Sequence, residues 1–265
     1  MSPFKNKVVI ITGASSGIGK ALALQMADDG VQLILAGRRM DELIAVKIHC
    51  ETKGAKCITL FIDMAEPDTI ATFAIAVSRM FNCVDILINN AGISQRSQAE
   101  LTGIEVDRRI MEVNFFGQVN LTKLLWPMLL NATHTNIVLI SSVVGTFGFP
   151  QRSAYAASKH ALEGFFESWS LENQHKNIHF TTISPGRIFT NISYAALKAD
   201  GNPHQQLDDG QANGISSETC ARKIISGIIS NKRKVYVVQQ ELLLIILRKC
   251  FPYLFFKLVK KLKLS

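Results

Sequence analysis

Cysteine is sparse in this chain and forms no recognisable framework. The 265 residues include five cysteines, an odd number, and no two of them form a C-x-x-C pair. A disulfide scaffold needs paired cysteines, so we expect free thiols in a reducing compartment. The first residues, MSPFKNKVVIITG, contain no charged stretch followed by an apolar signal core. These features together predict a cytoplasmic location.

Long apolar runs, internal repeats and low-complexity segments are also lacking. The run Leu242–Leu247 is far shorter than the about 20 apolar residues that cross a bilayer. Hydrophobic residues make up 48% of the chain, which is enough for a sizeable core and argues against a disordered or fibrous protein. The length fits one large α/β domain or two small ones.

Acidic residues are scarce only at the carboxyl end. Residues 240–265 hold six lysine or arginine residues against one glutamate, so they carry five of the eight net positive charges. A nucleic-acid-binding domain would instead show a basic face with interleaved aromatics across the fold. The charge distribution therefore predicts no nucleic-acid partner.

Short apolar β-type runs alternate with longer helical patterns along most of the chain. Strands that are apolar throughout are typical of parallel sheets buried on both faces, and the alternation predicts a doubly wound α/β domain over residues 1–238. Within it, residues 189–214 form a long polar loop that we expect to act as a lid. Residues 239–265 form a basic C-terminal extension. Two helices are expected in residues 105–130, split near Asn114.

A glycine-rich stretch, TGASSGIG (Thr12–Gly19), directly follows the first predicted strand. Gly13 would permit a tight turn, Gly17 would let the backbone approach a pyrophosphate, and Gly19 would allow close packing of helix on strand. The next helix would aim its free N–H groups at the phosphates. The alternative is a tight turn without a ligand, but the position between the first strand and helix favours dinucleotide binding.

The end of the second predicted strand, LAGRR, bears on the choice of coenzyme. NAD-binding proteins commonly place an acidic side chain there for the ribose 2′-hydroxyl, whereas this chain has Gly37 followed by Arg38 and Arg39. Two guanidinium groups suit a 2′-phosphate, so the pattern favours NADP(H) over NAD(H). A solvated basic pair at a helix start is the alternative.

The stretch SAYAASKHALEGF places Tyr155 four residues before Lys159, on one face of a predicted helix. A nearby ammonium favours the phenolate and would lower the pKa of the tyrosine toward the operating pH, where general acid–base catalysis works best. A tyrosine–lysine pair on a solvated surface is the alternative.

Five motifs at this spacing together resemble the short-chain dehydrogenase/reductase family, and the resemblance covers about residues 7–238. They are TGASSGIG, NNAG (Asn89–Gly92), ISS (Ile140–Ser142), YAASK (Tyr155–Lys159) and PG (Pro185–Gly186). The set is most similar to the branch of 11β-hydroxysteroid dehydrogenases and to members that reduce acyl-dihydroxyacetone phosphate. The resemblance implies a single Rossmann-type domain with a seven-stranded parallel sheet, assembled as a homodimer or homotetramer.

The resemblance also implies roles for individual residues. Tyr155 would be the proton donor or acceptor, Lys159 would lower its pKa and hold the nicotinamide ribose, and Ser142 would hydrogen-bond the substrate carbonyl. Asn114 would support a water that links Lys159 to solvent. Besides Tyr155 and Lys159, the residues implied in cofactor binding, some of them already derived above, are Gly13, Ser15, Ser16, Gly17, Ile18, Gly19, Arg38, Arg39, Asp63, Met64, Asn90, Ala91, Gly92, Pro185, Gly186, Ile188 and Thr190.

The sequence thus predicts an NADP(H)-dependent oxidoreductase acting on a carbonyl or secondary alcohol of a lipophilic small molecule. A catalytically silent cofactor sensor or a membrane-associated binding protein on the same fold is the alternative. Four residues near the motifs leave two interpretations open, a pocket for a lipophilic and anionic substrate or ordinary core and rim. They are Phe147, Phe149, Arg152 and Arg187.

Two further patterns leave alternatives. His175 and His179 have the spacing of a helical metal pair, but no further ligand is nearby, and we expect no metal site. Beyond Pro252, apolar residues recur at helical spacing beside lysines, which predicts a basic amphipathic helix. That helix would lie on a membrane surface, on a partner subunit or on the protein's own pocket.

Overall fold

The computed structural model describes residues 3–174, 176–206 and 212–259. The strands are β1 (Val8–Thr12), β2 (Gln32–Gly37), β3 (Lys56–Phe61), β4 (Ile86–Asn89), β5 (Thr135–Ile140), β6 (Ile178–Pro185), β7 (Ile188–Phe189), β8 (Ile215–Ser216) and β9 (Lys234–Val237). Seven of them form one parallel sheet in the order β3-β2-β1-β4-β5-β6-β9, while β7 pairs with β8. The predicted seven-stranded parallel sheet is confirmed.

Helices cover both faces of this sheet. They are α1 (Gly17–Met26), α2 (Met40–Glu51), α3 (Pro67–Met80), α4 (Ile104–Met111), α5 (Gly117–Asn131), α6 (Ser153–Glu172), α7 (Ser217–Ile229), α8 (Glu241–Cys250) and α9 (Pro252–Val259). Along β1, Val9 and Ile11 pack into the core beneath α1, α2 and α7, whereas Val8 and Ile10 pack beneath α3, α5 and α6. Both faces of the strand are buried, which explains its unbroken apolar sequence.

The predicted split near Asn114 is a π-helical segment, Glu112–Phe116, that joins α4 directly to α5. The chain therefore follows one helical path with a widened turn instead of two separate helices. Such π-turns commonly occur at functional sites. A Cβ on Gly117, the first residue of α5, would meet the Met64 carbonyl oxygen, so this glycine lets the helix approach the end of the sheet.

The strand order places a topological switch between β1 and β4. The chain runs outward from β1 to β3 on one side and then returns to β4 on the other. In doubly wound sheets, ligands bind outside the carboxyl ends of the strands at such a point. The segments that follow β1, β2, β4 and β5 meet there.

The C-terminal extension forms α8 and α9, joined at Phe251 and Pro252. Leu247 and Phe255 are buried in a small apolar cluster that also contains Phe147 and Tyr155. The extension therefore packs against the region of the predicted site. Within the described residues, every helix is too short or too polar to span a bilayer.

Candidate active site

A cavity of about 770 Å³ opens at the carboxyl ends of the parallel strands. Its wall includes the glycine-rich turn, the residues after β2 and β4, and the Ser142–Tyr155–Lys159 group. These segments come from distant parts of the sequence, and the sheet order brings them to one edge. Its volume lies within the range of about 300–1,000 Å³ that is typical of ligand-binding pockets.

The glycine-rich turn has backbone conformations that favour glycine. Gly13 and Gly17 have φ angles of +64° and +53°, in the left-handed region that L-residues avoid. Gly19 has an ordinary φ, but a Cβ there would lie 2.4 Å from the Gly13 carbonyl oxygen. The three predicted roles of these glycines therefore match the geometry of a turn that is open to a phosphate at the start of α1.

The Asn90–Gly92 segment is held against this turn by the end of β1. The Thr12 hydroxyl oxygen accepts hydrogen bonds from the backbone N–H groups of Asn90 and Ala91 at 2.9 and 3.0 Å. The Asn90 amide donates to the Thr12 carbonyl at 2.8 Å. These bonds fix the floor of the cavity at the switch point between β1 and β4.

The two arginines after β2 differ in their contacts. Arg39 donates from Nη2 to the hydroxyls of Ser15 and Ser16 at 2.8 and 2.7 Å, across the mouth of the glycine-rich turn. The Nη1 atom of Arg38 lies 3.7 Å from an Asp63 carboxylate oxygen. Both side chains are about half exposed, and both arginines line the cavity directly after Gly37, the last residue of β2.

Tyr155 is buried, and burial raises the pKa of its phenol above the ordinary value. Hydrogen bonding with Ser142 and the positive charges of Arg152 and Arg96 oppose this rise. The Lys159 Nζ lies 5.8 Å from the centroid of the Tyr155 ring. Desolvation is the largest of these effects, and the lowering of the Tyr155 pKa by Lys159 stays a prediction.

Lys159 is itself buried, and its Nζ donates to the Ile140 carbonyl at 2.8 Å. Burial lowers its pKa to about 8, while the negative charge of Glu163 acts in the opposite direction. The ammonium therefore depends on a carboxylate one helical turn further along α6. A group with a pKa in this range changes its charge near physiological pH.

Glu163 on α6 forms hydrogen bonds behind the cavity with residues at or next to β5, β6 and β9. The sequence patterns did not single out this residue. Its Oε1 accepts from Ser141 at 2.6 Å and from Ser184 at 3.4 Å, and its Oε2 accepts from Lys234 at 2.7 Å. The spacing of Tyr155, Lys159 and Glu163 at four-residue intervals would have been the signal. The side chain fixes the turn that carries Ser142.

Asn114 lies in the π-helical segment and is fully buried. Its Oδ1 accepts from the Ile93 N–H at 2.9 Å, and its Nδ2 donates to the Ile93 carbonyl and the Ser158 hydroxyl at 2.9 and 3.0 Å. The side chain therefore fixes the segment after β4, next to Gly92. It does not line the cavity, and its role in supporting a water stays a prediction.

The far end of the cavity is apolar and cationic. Phe147 and Phe149 line it with Leu244 from α8, and Phe147 packs edge-to-face on Phe255 at 5.3 Å. Arg152 and Arg187 also face the cavity, together with Arg96. The four residues whose role the sequence left open thus belong to the pocket wall.

Glu241, at the start of α8, holds the Pro185–Gly186 turn in place. Its carboxylate accepts from the backbone N–H groups of Arg187 and Gln239, each at 3.0 Å. A Cβ on Gly186 would lie 2.7 Å from the Glu241 Cδ. The C-terminal extension therefore contributes directly to the site, although its contacts could not be predicted from helical spacing.

Most of the predicted cofactor-binding residues line this one cavity, and Gly19 supports it from beneath. The lining set is Gly13, Ser15, Ser16, Gly17, Ile18, Arg38, Arg39, Asp63, Met64, Asn90, Ala91, Gly92, Tyr155, Lys159, Pro185, Gly186, Ile188 and Thr190. The lid contributes Ile192 and His204 among other residues. Residues 207–211 of the lid lie outside the described residues.

The part of the chain that the structure describes contains no cluster of three metal-ligating side chains. His179 stacks on His134 with ring centroids 4.7 Å apart, and burial and neighbouring positive charges lower its pKa. His175 lies outside the described residues.

Comparison with known proteins gives matches along nearly the whole chain. The family described as short chain dehydrogenase matches residues 7–200. Dehydrogenase/reductase SDR family member 7B of Mus musculus is 38% identical over 260 residues, 96% of this chain and 80% of the mouse protein. Dehydrogenase/reductase SDR family protein 7-like of Drosophila melanogaster is 40% identical over 260 residues, with the same coverage.

Two solved structures share the fold at 23% identity. A short chain dehydrogenase/reductase from Burkholderia phymatum, in complex with NAD, superposes with a TM-score of 0.83 and covers 96% of both chains. An alcohol dehydrogenase from the archaeon Thermococcus sibiricus, complexed with 5-hydroxy-NADP, gives a TM-score of 0.74 and covers 87% of this chain and 94% of its own.

Proposed function

This chain belongs to the short-chain dehydrogenase family, and we propose that within it the protein is an NADP(H)-dependent reductase of lipophilic carbonyl compounds. The observation that carries the proposal is the single cavity in which the glycine-rich turn, Arg38 and Arg39 meet Ser142 and Tyr155. One end of the cavity has phosphate-binding geometry and the other has proton-donating groups.

The coenzyme end supports NADP(H) through charge. Arg39 bridges the two serine hydroxyls of the turn, and Arg38 lies beside Asp63 after the next strand. A carboxylate for the ribose 2′-hydroxyl is replaced at the end of β2 by Gly37. Two half-exposed guanidinium groups suit a phosphate that carries two negative charges better than they suit a hydroxyl.

A bound nicotinamide would supply the hydride, and the protein supplies the proton and the electrostatic support. Because burial raises the pKa of Tyr155, the phenol is protonated at neutral pH and ready to donate to a carbonyl oxygen. Ser142 offers a second hydroxyl, and Arg152 and Arg96 place positive charge beside the phenol. Donors and cations aimed at developing negative charge on oxygen favour reduction.

The substrate end supports a lipophilic molecule with an anionic group. Phe147, Phe149 and Leu244 contribute apolar side chains to the cavity wall, while Arg152 and Arg187 contribute positive charge to the same cavity. An acyl chain and a phosphate or carboxylate would each find matching surface there. Neutral ketones of similar size would lack the charge interaction.

An assay of coenzyme oxidation tests this proposal. The purified protein is incubated with NADPH or NADH and a panel of alkyl ketones, steroid ketones and acylated dihydroxyacetone phosphates. We expect turnover with NADPH, faster with lipophilic anionic ketones than with neutral ones. If no carbonyl in the panel is reduced although NADPH binds, the reductase assignment is wrong and a silent cofactor-binding protein is favoured.

Replacing Glu163 with glutamine tests the dependence of Lys159 on its carboxylate neighbour. Loss of the negative charge lowers the pKa of Lys159 further below about 8, so the ammonium is lost at lower pH. We expect the alkaline limb of the kcat/KM profile to move to lower pH, and activity at pH 8 to fall by about fivefold. The measurement is a steady-state pH profile with NADPH.

The matched control for this variant is Lys234→Met. It removes the ion pair at 2.7 Å but leaves the Glu163 charge beside Lys159. We expect a lower melting temperature with an alkaline limb at the wild-type position or above it. Identical profiles for Glu163→Gln and the wild type would show that Glu163 has only a structural role.

A further inference from the structure

The outward side of α8 and α9 carries a concentration of exposed apolar residues. Leu243 is 61% exposed and Tyr253 is 84% exposed. We define the C-terminal apolar face by six residues: Leu243, Ile246, Phe251, Tyr253, Leu254 and Phe256, all of which are exposed. Scattered single apolar residues are normal on a protein surface, but a concentration of exposed apolar residues on two consecutive helices points to an interaction site.

The opposite side of the same two helices is anchored to the protein. Leu247 and Phe255 are buried, and Phe255 packs on Phe147 in the wall of the cavity. A surface helix of a globular protein normally has a polar outward side. Here both sides are apolar, so burial against the body of the protein does not account for the outward residues.

The charged residues among the apolar residues of these helices are all basic. Arg248, Lys249 and Lys257 lie among the apolar residues, and the Arg248 guanidinium lies 5.5 Å from the centroid of the Phe256 ring. The glutamate of this segment, Glu241, is turned inward onto the backbone of Arg187 and Gln239. The outward side therefore combines apolar area with positive charge.

This combination favours an anionic lipid surface over a second copy of the chain. A symmetric interface would bring the same cations together across the axis, and lysine is depleted at the core of protein interfaces. Anionic headgroups neutralise each cation, and long lysine side chains reach the headgroups while their stems stay among apolar groups. The described helices cannot span the bilayer, so they would lie on it.

We propose that the C-terminal apolar face docks the protein onto the surface of membranes that contain anionic lipids. Apolar side chains enter the boundary between headgroups and acyl chains, and Lys249 and Lys257 pair with phosphate or carboxylate headgroups. Leu244 of the same helix lines the cavity, so the docked surface lies beside the site. The proposal holds whether or not the protein reduces a carbonyl.

Vesicle co-sedimentation of the full-length chain tests the proposal. The probes are vesicles of phosphatidylcholine with phosphatidylserine, and of phosphatidylcholine alone. We expect binding to the anionic vesicles that weakens with salt. A Lys249→Glu/Lys257→Glu variant should lose at least about tenfold in partitioning. A Leu243→Ser/Ile246→Ser/Tyr253→Ser variant should lose about as much through apolar area.

Each variant has a matched control elsewhere on the surface. Lys223→Glu/Lys232→Glu makes the same change in net charge on exposed residues, and Ile48→Ser/Ile75→Ser removes exposed apolar side chains from α2 and α3. Both should bind vesicles as the wild type does. Thermal unfolding checks that every variant is folded, and the charge variant replaces only exposed side chains.

Three outcomes would overturn the proposal. The wild type fails to bind anionic vesicles, the C-terminal variants bind as well as the controls, or the C-terminal variants convert an oligomer to a monomer without any vesicle binding by the wild type. The last outcome, read by light scattering after size-exclusion chromatography, would assign the face to self-association.

Discussion

A Tyr155→Phe variant is expected to lose roughly a thousandfold in kcat with NADPH while it binds the coenzyme as the wild type does. The substitution removes one oxygen from a buried ring, and the ring keeps its place in the cluster with Phe147, Leu247 and Phe255. What is lost is the proton donor. Because burial holds the pKa of this phenol above its usual value, the phenol is protonated at neutral pH and can donate its proton.

The companion variants separate proton donation from packing. Tyr236→Phe removes the same atom from a partly exposed tyrosine on β9 and should leave kcat unchanged. Ser142→Ala removes the second hydroxyl and should cost about a hundredfold. Steady-state kinetics and fluorescence titration with NADPH give the two readouts. A Tyr155→Phe enzyme with more than a tenth of wild-type turnover would refute the role of the phenol.

The parts of the site that follow from local rules could be predicted from the sequence. The turn at Gly13 and Gly17 requires positive φ angles, which glycine adopts without steric cost. Tyr155 and Lys159 lie on one face of a helix because they are four residues apart. Both patterns depend on neighbours in the chain, so sequence alone was enough.

The groups that support these residues depend on contacts between distant elements. Glu163 reaches Ser141, Ser184 and Lys234 because β5, β6 and β9 end or begin beside α6. Glu241 holds the turn at Arg187, 54 residues away in sequence. Hydrophobic periodicity reports which residues share a face of an element, but it does not report which neighbour that face meets.

The pKa of Tyr155 also depends on contacts between distant elements. The sequence supplied a nearby ammonium and therefore predicted a lowered pKa. The structure adds burial, which opposes ionisation, and two cations from other segments, Arg96 and Arg152. Desolvation is a property of the packed chain, so its contribution to the pKa could not be obtained from the spacing of two residues. The lowering of this pKa by Lys159 stays a prediction.

An Arg38→Ala/Arg39→Ala variant is expected to raise the KM for NADPH by about a hundredfold, with the KM for NADH within about threefold of the wild type. Hydrogen bonds to charged groups contribute about 1.5–3 kcal/mol each, and exposure reduces the charge–charge part. The loss of two half-exposed guanidinium groups that face one phosphate is therefore expected to raise the KM for NADPH by about two orders of magnitude. The NADH ribose carries a hydroxyl at that position, so the substitutions remove no charge–charge interaction with NADH.

Single variants separate charge recognition from support of the turn. Arg39 also donates to Ser15 and Ser16, so its loss could loosen the turn for both coenzymes, whereas Arg38→Ala leaves those bonds in place. Arg38→Ala should still weaken NADPH by about tenfold without affecting NADH. An exposed control, Arg108→Ala on α4, should change neither constant. Equal losses for both coenzymes in Arg38→Ala would mean that these arginines do not distinguish a phosphate from a hydroxyl, and the preference for NADP(H) would be wrong.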